Sequence, residues 1–265
     1  MTSPTMLRKT ALTALLICAP LPAFAQETGE LVRFITCPTY RDTDAGRKSG
    51  CWLADERATG VRYDVTQSPT KPDWSFATLV EGRVAEGDED LCGGTVLAPV
   101  RTAQLRDIPC PRHMLPAEEF PGREYVLQGR FIMPMAVPRD VPPGPYAETT
   151  FPIFFEFGRD FLIYQYDDYL MDRAVAWLRA AEPARVVVTG YAVTAPETVS
   201  GYEIAEDEDL ARTRAEVVAL TLRRMIPGLE VETRWEVNPP VADLADADGI
   251  PGQSQRRADI TALFD

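Results

Sequence analysis

Histidine is almost absent from this sequence. His113 stands alone in 265 residues, in the loop-like stretch Cys110-Pro-Arg-His-Met114. One imidazole excludes Ser-His-Asp and Cys-His nucleophilic centres and any site built on several histidines. Lysine is nearly as scarce: Lys9, Lys48 and Lys71 are the whole supply, so positive charge is carried by arginine. Basic residues are outnumbered by acidic ones, 27 to 40, for a net charge of −13. Such a surface repels nucleic acid and anionic lipid, and no nucleic-acid partner is expected. No apolar run reaches bilayer length, so no transmembrane segment is expected in the mature chain. Cysteine is missing from the second half altogether.

What is present begins with an export signal. Arg8 and Lys9 precede a short apolar run from Ala11 to Pro20, and Ala23-Phe-Ala25 has the A-x-A form of a cleavage site. Cleavage after residue 25 would leave 265 − 25 = 240 residues. It would also remove Arg8 and Lys9, taking the charge from −13 to −15. The expected location is the periplasm, with outer-membrane association a further expectation. Four cysteines remain, Cys37, Cys51, Cys92 and Cys110. An even number in an oxidising compartment reads as two disulfides, with three possible connectivities. Local pairing, Cys37 with Cys51 and Cys92 with Cys110, is the simplest of them. The spacings lack the C-x-x-C pairs of a zinc site, and no metal or cofactor is expected.

Composition divides the chain at residues 136–150, where Pro138, Pro142, Pro143 and Pro145 form a stiff stretch. Before it, residues 26–135 read as short strands separated by Gly, Pro and Asp: Leu31–Thr36, Val61–Val65, Thr78–Val84, Thr95–Val100 and Tyr125–Ile132. A disulfide-braced β-barrel or sandwich fits. Gly46-Arg-Lys-Ser49 lacks the order of a phosphate loop and reads as a connector. After the proline stretch, residues 151–265 read as strand Ile153–Phe157, helix Tyr166–Ala181, strand Ala184–Gly190, helix Asp207–Ile226, strand Leu229–Val237 and strand Arg257–Phe264. This βαβαββ order predicts two helices on one face of a mixed sheet, and an α+β protein overall. Asp246-Ala-Asp248-Gly249 imitates half of a calcium loop, but Leu244 and Gln255 occupy ligand positions that require carboxylates. The acidic runs Asp167-Asp168 and Glu206–Asp209 read as dipole-matched surface at helix starts, and the chain reads as non-enzymatic.

The second helix poses a specific question. Leu210, Val217, Val218, Thr221 and Met225 form an apolar stripe at helical period, and Arg214 lies on it. A guanidinium there either snorkels from the stripe's edge or reaches into a groove to hold an anion.

Four motifs then make a pattern. The first strand ends in Phe155-x-Phe157-Gly158 and the second in Val188-x-Gly190-Tyr191. The helix carries Leu210-Ala-x-x-Arg214-Ala-x-x-Val218. After Asn238-Pro-Pro-Val, the last strand opens with Gln255-Arg-Arg-Ala258. In this order they resemble the OmpA-like C-terminal domain, a peptidoglycan-associated module. The resemblance implies a stem-peptide ligand whose carboxylate meets Arg214, with Gly190, Tyr191, Asp207 and Arg257 around it. The family's aspartate, which holds the ligand's amine, is replaced by Val193. Losing that partner would cost roughly 1.5–3 kcal/mol, about tenfold to a hundredfold in affinity. The loop from Val193 to Leu210 is also longer than the family's, and Glu197, Glu203 or Asp207 are its candidate replacements. Two functions are expected on this basis. One is peptidoglycan binding, weakened; the other is an envelope protein-interaction scaffold that has lost wall binding.

Overall fold

The computed structural model describes residues 29–42, 50–87, 90–117, 120, 138–162 and 166–264. The expected export signal, the Gly46–Ser49 connector, the strand expected over Tyr125–Ile132 and the side chains of Asp167 and Asp168 lie outside the described residues.

The first half is one mixed sheet. Strands β1 (Leu31–Thr36), β2 (Pro38–Arg41), β3 (Cys51–Asp55), β4 (Arg62–Asp64), β5 (Phe76–Val84), β6 (Thr95–Pro109) and β7 (Met114–Leu115) run in the order β1-β5-β6-β4-β3-β2-β7. Strand β6 continues well past the expected Val100. Its Pro99 is tolerated because it falls where the pairing with β5 shifts register, between Gly82 and Val84. Alternation sorts the side chains of β1 and β5. Val32, Phe34 and Val80 join Tyr63, Val65 and Leu97 in the unit's own core, while Ile35, Ala77 and Leu79 face the other way. Strand β5 is therefore buried on both sides, and what covers its second side is the rest of the chain.

The cysteines pair as Cys37–Cys110 and Cys51–Cys92, not locally. The β2–β3 hairpin explains the correction. Cys51 faces Arg41, whereas Cys37 precedes Pro38, which faces Ala54 at the other end. Four residues of strand separate them by roughly 13 Å, about twice what a disulfide spans. The bridges close loops of 73 and 41 residues in sequence separation, each stabilising by about 4 kcal/mol in the chain-entropy account.

The second half is built from β8 (Thr149–Phe154), α1 (Tyr166–Ala181), β9 (Arg185–Ala192), β10 (Glu197–Val199), β11 (Tyr202–Ile204), α2 (Asp209–Met225), β12 (Val231–Val237), α3 (Pro251–Gln255) and β13 (Arg257–Leu263). Four strands form a sheet in the order β12-β9-β13-β8, with β9 parallel to β12 and β13 antiparallel between β9 and β8. Helices α1 and α2 share one core against it, with Leu170, Ala174 and Leu178 meeting Val186, Val188, Val218 and Leu222. The α+β class holds. The expected long loop after Val193 is instead the small hairpin β10–β11. Its turn places Ser200 and Gly201 at φ 50 and 82°, a left-handed conformation that suits Gly201.

The packed face of α2 is turned from the expected stripe. Ala211, Arg214, Ala215, Val218, Ala219 and Leu222 are buried; Leu210, Val217, Thr221 and Met225 are only partly so. The alanines decide this. They let the helix backbone lie against β9 at Gly190, where a Cβ would collide with the Ala211 carbonyl and the Ala215 N–H. Each fully buried Val or Leu adds roughly 1.5–3 kcal/mol to this contact.

Residues 138–148 contain no helix or strand, yet they are not a free spacer. Val141 and Tyr146 pack on the second core, and Arg139 donates to Asp172 of α1 at 2.6 Å. The first sheet also meets the second half directly, at the β10–β11 hairpin and Phe157. Ile35, Ala77, Leu79 and Ala103 contact Phe157, Val199 and Ile204. Around this apolar patch lie polar ties: Arg256 with Glu81, Arg101 with Asp248 at 2.7 Å, Arg83 with the Gly249 carbonyl at 2.7 Å, and Ile35 N–H with Ser200 Oγ at 3.0 Å. Among the described residues no helix is long and apolar enough to cross a membrane.

Candidate functional site

Arg214 is fully buried, and its guanidinium lies beneath the turn that follows β9. It does not snorkel. Its five N–H groups meet five acceptors. Nε donates to the Arg159 carbonyl at 2.9 Å. Nη1 donates to the Tyr191 carbonyl at 2.7 Å and to Glu206 Oε2 at 3.0 Å. Nη2 donates to the Glu156 carbonyl at 3.1 Å and to Glu206 Oε1 at 2.6 Å. The Phe155 ring lies 5.2 Å away.

Glu206 is as buried as its partner, with both side chains at 0% exposure. It is not the helix-start surface acid that its place in a run of four suggests. The β10–β11 hairpin causes this: the chain leaves at Val193, turns, and returns so that the Glu206 N–H donates to the Val193 carbonyl at 2.8 Å. The side chain then turns inward. Oε1 also accepts from the Gly158 N–H at 2.9 Å and Oε2 from the Val193 N–H at 2.8 Å. Burial alone would raise the Glu206 pKa, but Arg214 and the Val193 N–H outweigh it and hold the carboxyl below the ordinary glutamate value. A buried pair of this completeness is a geometric lock.

Of the other residues singled out in the sequence, Tyr191 and Gly190 adjoin this centre. The Tyr191 carbonyl serves Arg214, and its ring lies on the sheet's opposite face beneath the Arg257 guanidinium, 4.4 Å from ring centroid to Cζ. Arg257 is itself spent on Asp259, at 2.9 and 3.0 Å, and on the Ser254 carbonyl. Asp207 accepts from the Asp209 N–H at 2.9 Å, a helix-entry contact away from the guanidinium. Glu203 is exposed, and Glu197 pairs outward with Arg33. The calcium look-alike is likewise committed to arginines: Asp246 to Arg173 at 3.1 Å and Asp248 to Arg101. Among the described residues no cluster of His, Cys, Asp and Glu is arranged to hold a metal.

Sequence reasoning passed over Glu206, and the available signal was thin. A buried arginine needs a carboxylate, and the acids immediately before α2 are the nearest, but nothing separates Glu206 from Asp207, Glu208 and Asp209 until the hairpin aims one of them inward. It also passed over Arg256. That side chain is 2% exposed, pairs with Glu81 of the first unit and leaves Nε without a hydrogen bond among the described residues. Burial opposes the Glu81 charge, but Arg256 and Arg33 together keep its carboxyl below the ordinary range. Between the two arginine sites lies Glu156, whose backbone serves Arg214. Its carboxyl is buried with Oε1 unpartnered among the described residues, and burial pushes its pKa up to about 7 against the opposing pull of Thr70, Arg159, Arg101 and Arg256.

A cavity of about 180 Å³ opens beside Val193, lined by Phe157, Ala195, Ile204, Arg33 and Arg256. It lies at the junction of the two units, so the first unit forms part of its wall.

No protein-family model and no curated protein matches the chain. Several solved structures are similar to part of it, two of them as follows. One is the OmpA-like domain of FopA1 from Francisella tularensis subsp. tularensis SCHU S4, 17% identical with a TM-score of 0.33, over 43% of this chain and 71% of that one. The other is the cell wall anchor of the T6SS from Pseudomonas aeruginosa, 25% identical with a TM-score of 0.31, over 44% of this chain and 82% of that one.

Proposed function

We propose that this is a non-enzymatic protein of the cell envelope, exported to the periplasm, whose OmpA-like unit serves as an interaction scaffold and is closed to peptidoglycan. The ordered motifs around Phe157, Gly190, Arg214 and Arg256 support the module. The closure rests on one observation: Arg214, the residue that the resemblance assigns to a stem-peptide carboxylate, has all five donors taken by the chain itself. A ligand carboxylate entering there replaces one charge-assisted pair by another, so the guanidinium adds no net contact. The ligand's ammonium would meet Val193 in place of a carboxylate. Both halves of the grip are thereby weakened, while the packing of the scaffold is intact.

Wall binding is the second reading, and the donor set around Glu206 favours it, because that set is what a free carboxylate requires. Sedimentation of the purified full chain with insoluble peptidoglycan separates the two. The scaffold reading expects the parent chain to stay in the supernatant. Parent chain that pellets, and that Arg214→Ala releases, would establish wall binding instead.

A further inference from the structure

We propose that Glu206 is the chain's own stand-in for a ligand carboxylate: residues 194–206 form a lid whose last side chain fills a carboxylate receptor made by Arg214 and the N–H groups of Gly158 and Val193. This rests on the closed-site reading above and says what the closed site would accept.

The geometry carries it in three steps. The receptor is complete toward a carboxylate: two guanidinium N–H groups and two backbone N–H groups supply two donors to each oxygen, between 2.6 and 3.0 Å. None of those donors belongs to the lid. Gly158 follows β8, Val193 follows β9, and Arg214 lies on α2. Arg214 is also held without Glu206, because the carbonyls of Glu156, Arg159 and Tyr191 fix the remaining three N–H groups. Taking away the glutamate therefore leaves an assembled site, which is what distinguishes a receptor from a mutual pair.

The lid has a different set of attachments. Apart from Glu206, its start is tied to Asn238 of the second unit through Thr194 and Ala195, and its hairpin to the first unit, through Ser200 Oγ at the Ile35 N–H, Glu197 at Arg33, and Val199 and Ile204 against Ile35 and Leu79. The disulfide-braced unit thus holds the hairpin part of the lid, and Asn238 holds its start. Outside the lid itself, the cavity beside Val193 offers Phe157, Arg33 and Arg256 to whatever a carboxylate brings with it. The ligand class is accordingly a peptide carboxylate without an adjacent ammonium, which would meet Val193 and two arginines.

The test is thermal unfolding of the full chain with Glu206→Ala, using sodium formate as the probe and sodium chloride at equal ionic strength as control. The variant should melt about 10 °C below the parent. Formate at tens of millimolar should recover at least half of that loss, and chloride should not. The parent should ignore formate, and adding Arg214→Lys to Glu206→Ala should abolish the recovery, because one ammonium cannot replace the fork. A folded Glu206→Ala chain that formate does not shift overturns the proposal, and so does an unfolded one that formate does not restore. Parent chain pelleting with peptidoglycan would sink the scaffold reading alone and leave this result untouched.

Discussion

Two buried arginines meet two buried glutamates in this molecule, and the pairs are built differently. Arg214 and Glu206 come from one unit, eight residues apart, and every donor of the guanidinium is used. Arg256 and Glu81 come from different units, 175 residues apart. There Glu81 is shared with Arg33, and Arg256 keeps an Nε unpartnered among the described residues. The first pair is finished inside a fold and fixes a turn, a helix and a hairpin together. The second is a joint, assembled only when two units have formed and met. Burying charge costs several kcal/mol per ion unless hydrogen bonds complete the shell. The complete pair should therefore be the harder one to lose.

The largest effect is expected from breaking the complete pair on one side. Arg214→Met leaves Glu206 buried without its cation and should cost about 3–5 kcal/mol in urea unfolding. A loss below 1 kcal/mol would show that Glu206 escapes to solvent and that the lid opens freely.

Next comes a pH effect from Glu156, the buried carboxyl whose backbone serves Arg214. Glu156 has a folded pKa raised to about 7 from 4.5, so the folded chain binds more protons than the unfolded one between those values. Its contribution is fully present below about pH 4.5 and is lost as pH rises through 7, about 3 kcal/mol at most. Glu81 and Glu206 are depressed, and their contribution runs oppositely: present above about pH 4.5 and lost as pH falls through their folded values. Glu156→Gln should raise the thermal midpoint at pH 8 and leave it nearly unchanged at pH 4.5. Equal shifts at both pH values would remove titration as the cause.

A smaller change should loosen the joint alone. A Cβ at Gly252 would press on Glu81 Oε1 and Arg256 Nη1, so Gly252→Ala should cost about 1–3 kcal/mol. Hydrogen exchange should speed up at β5 and spare the N–H groups of Gly158 and Val193. The smallest effect belongs to a surface pair. Arg185 and Glu232, 3.1 Å apart and each about two-fifths exposed, should change stability by less than 1 kcal/mol when Arg185 becomes Ala.

Periodicity and stop signals located most of the elements. Helix α1 falls on Tyr166–Ala181 as the pattern of Leu170, Ala174 and Leu178 implies, and α2 ends at Met225, just before the Pro227-Gly228 stop signal. The packed face of α2 was harder to read, since ranking residues by hydrophobicity favours Leu210 and Val217 over Ala211 and Ala215. Close approach rewards small side chains, and that preference appears only once Gly190 is seen opposite them. The cysteine pairing was illegible for a related reason: it depends on which end of a hairpin each cysteine occupies, which is a matter of register. At the candidate site, Arg214 stood out because a charge on a packed stripe demands a partner. Its partner stayed hidden among four neighbouring acids, because the direction of a side chain after a turn is set by three-dimensional closure.

The missing side chain at residue 190 has a consequence at some remove. Because strand and helix touch there backbone to backbone, the height of α2 above the sheet is fixed by the thickness of a hydrogen atom. The guanidinium rides on that helix, while the carbonyls it must reach are anchored below. Any larger group at 190 would act as a shim, lifting Arg214 away from all of its acceptors at once.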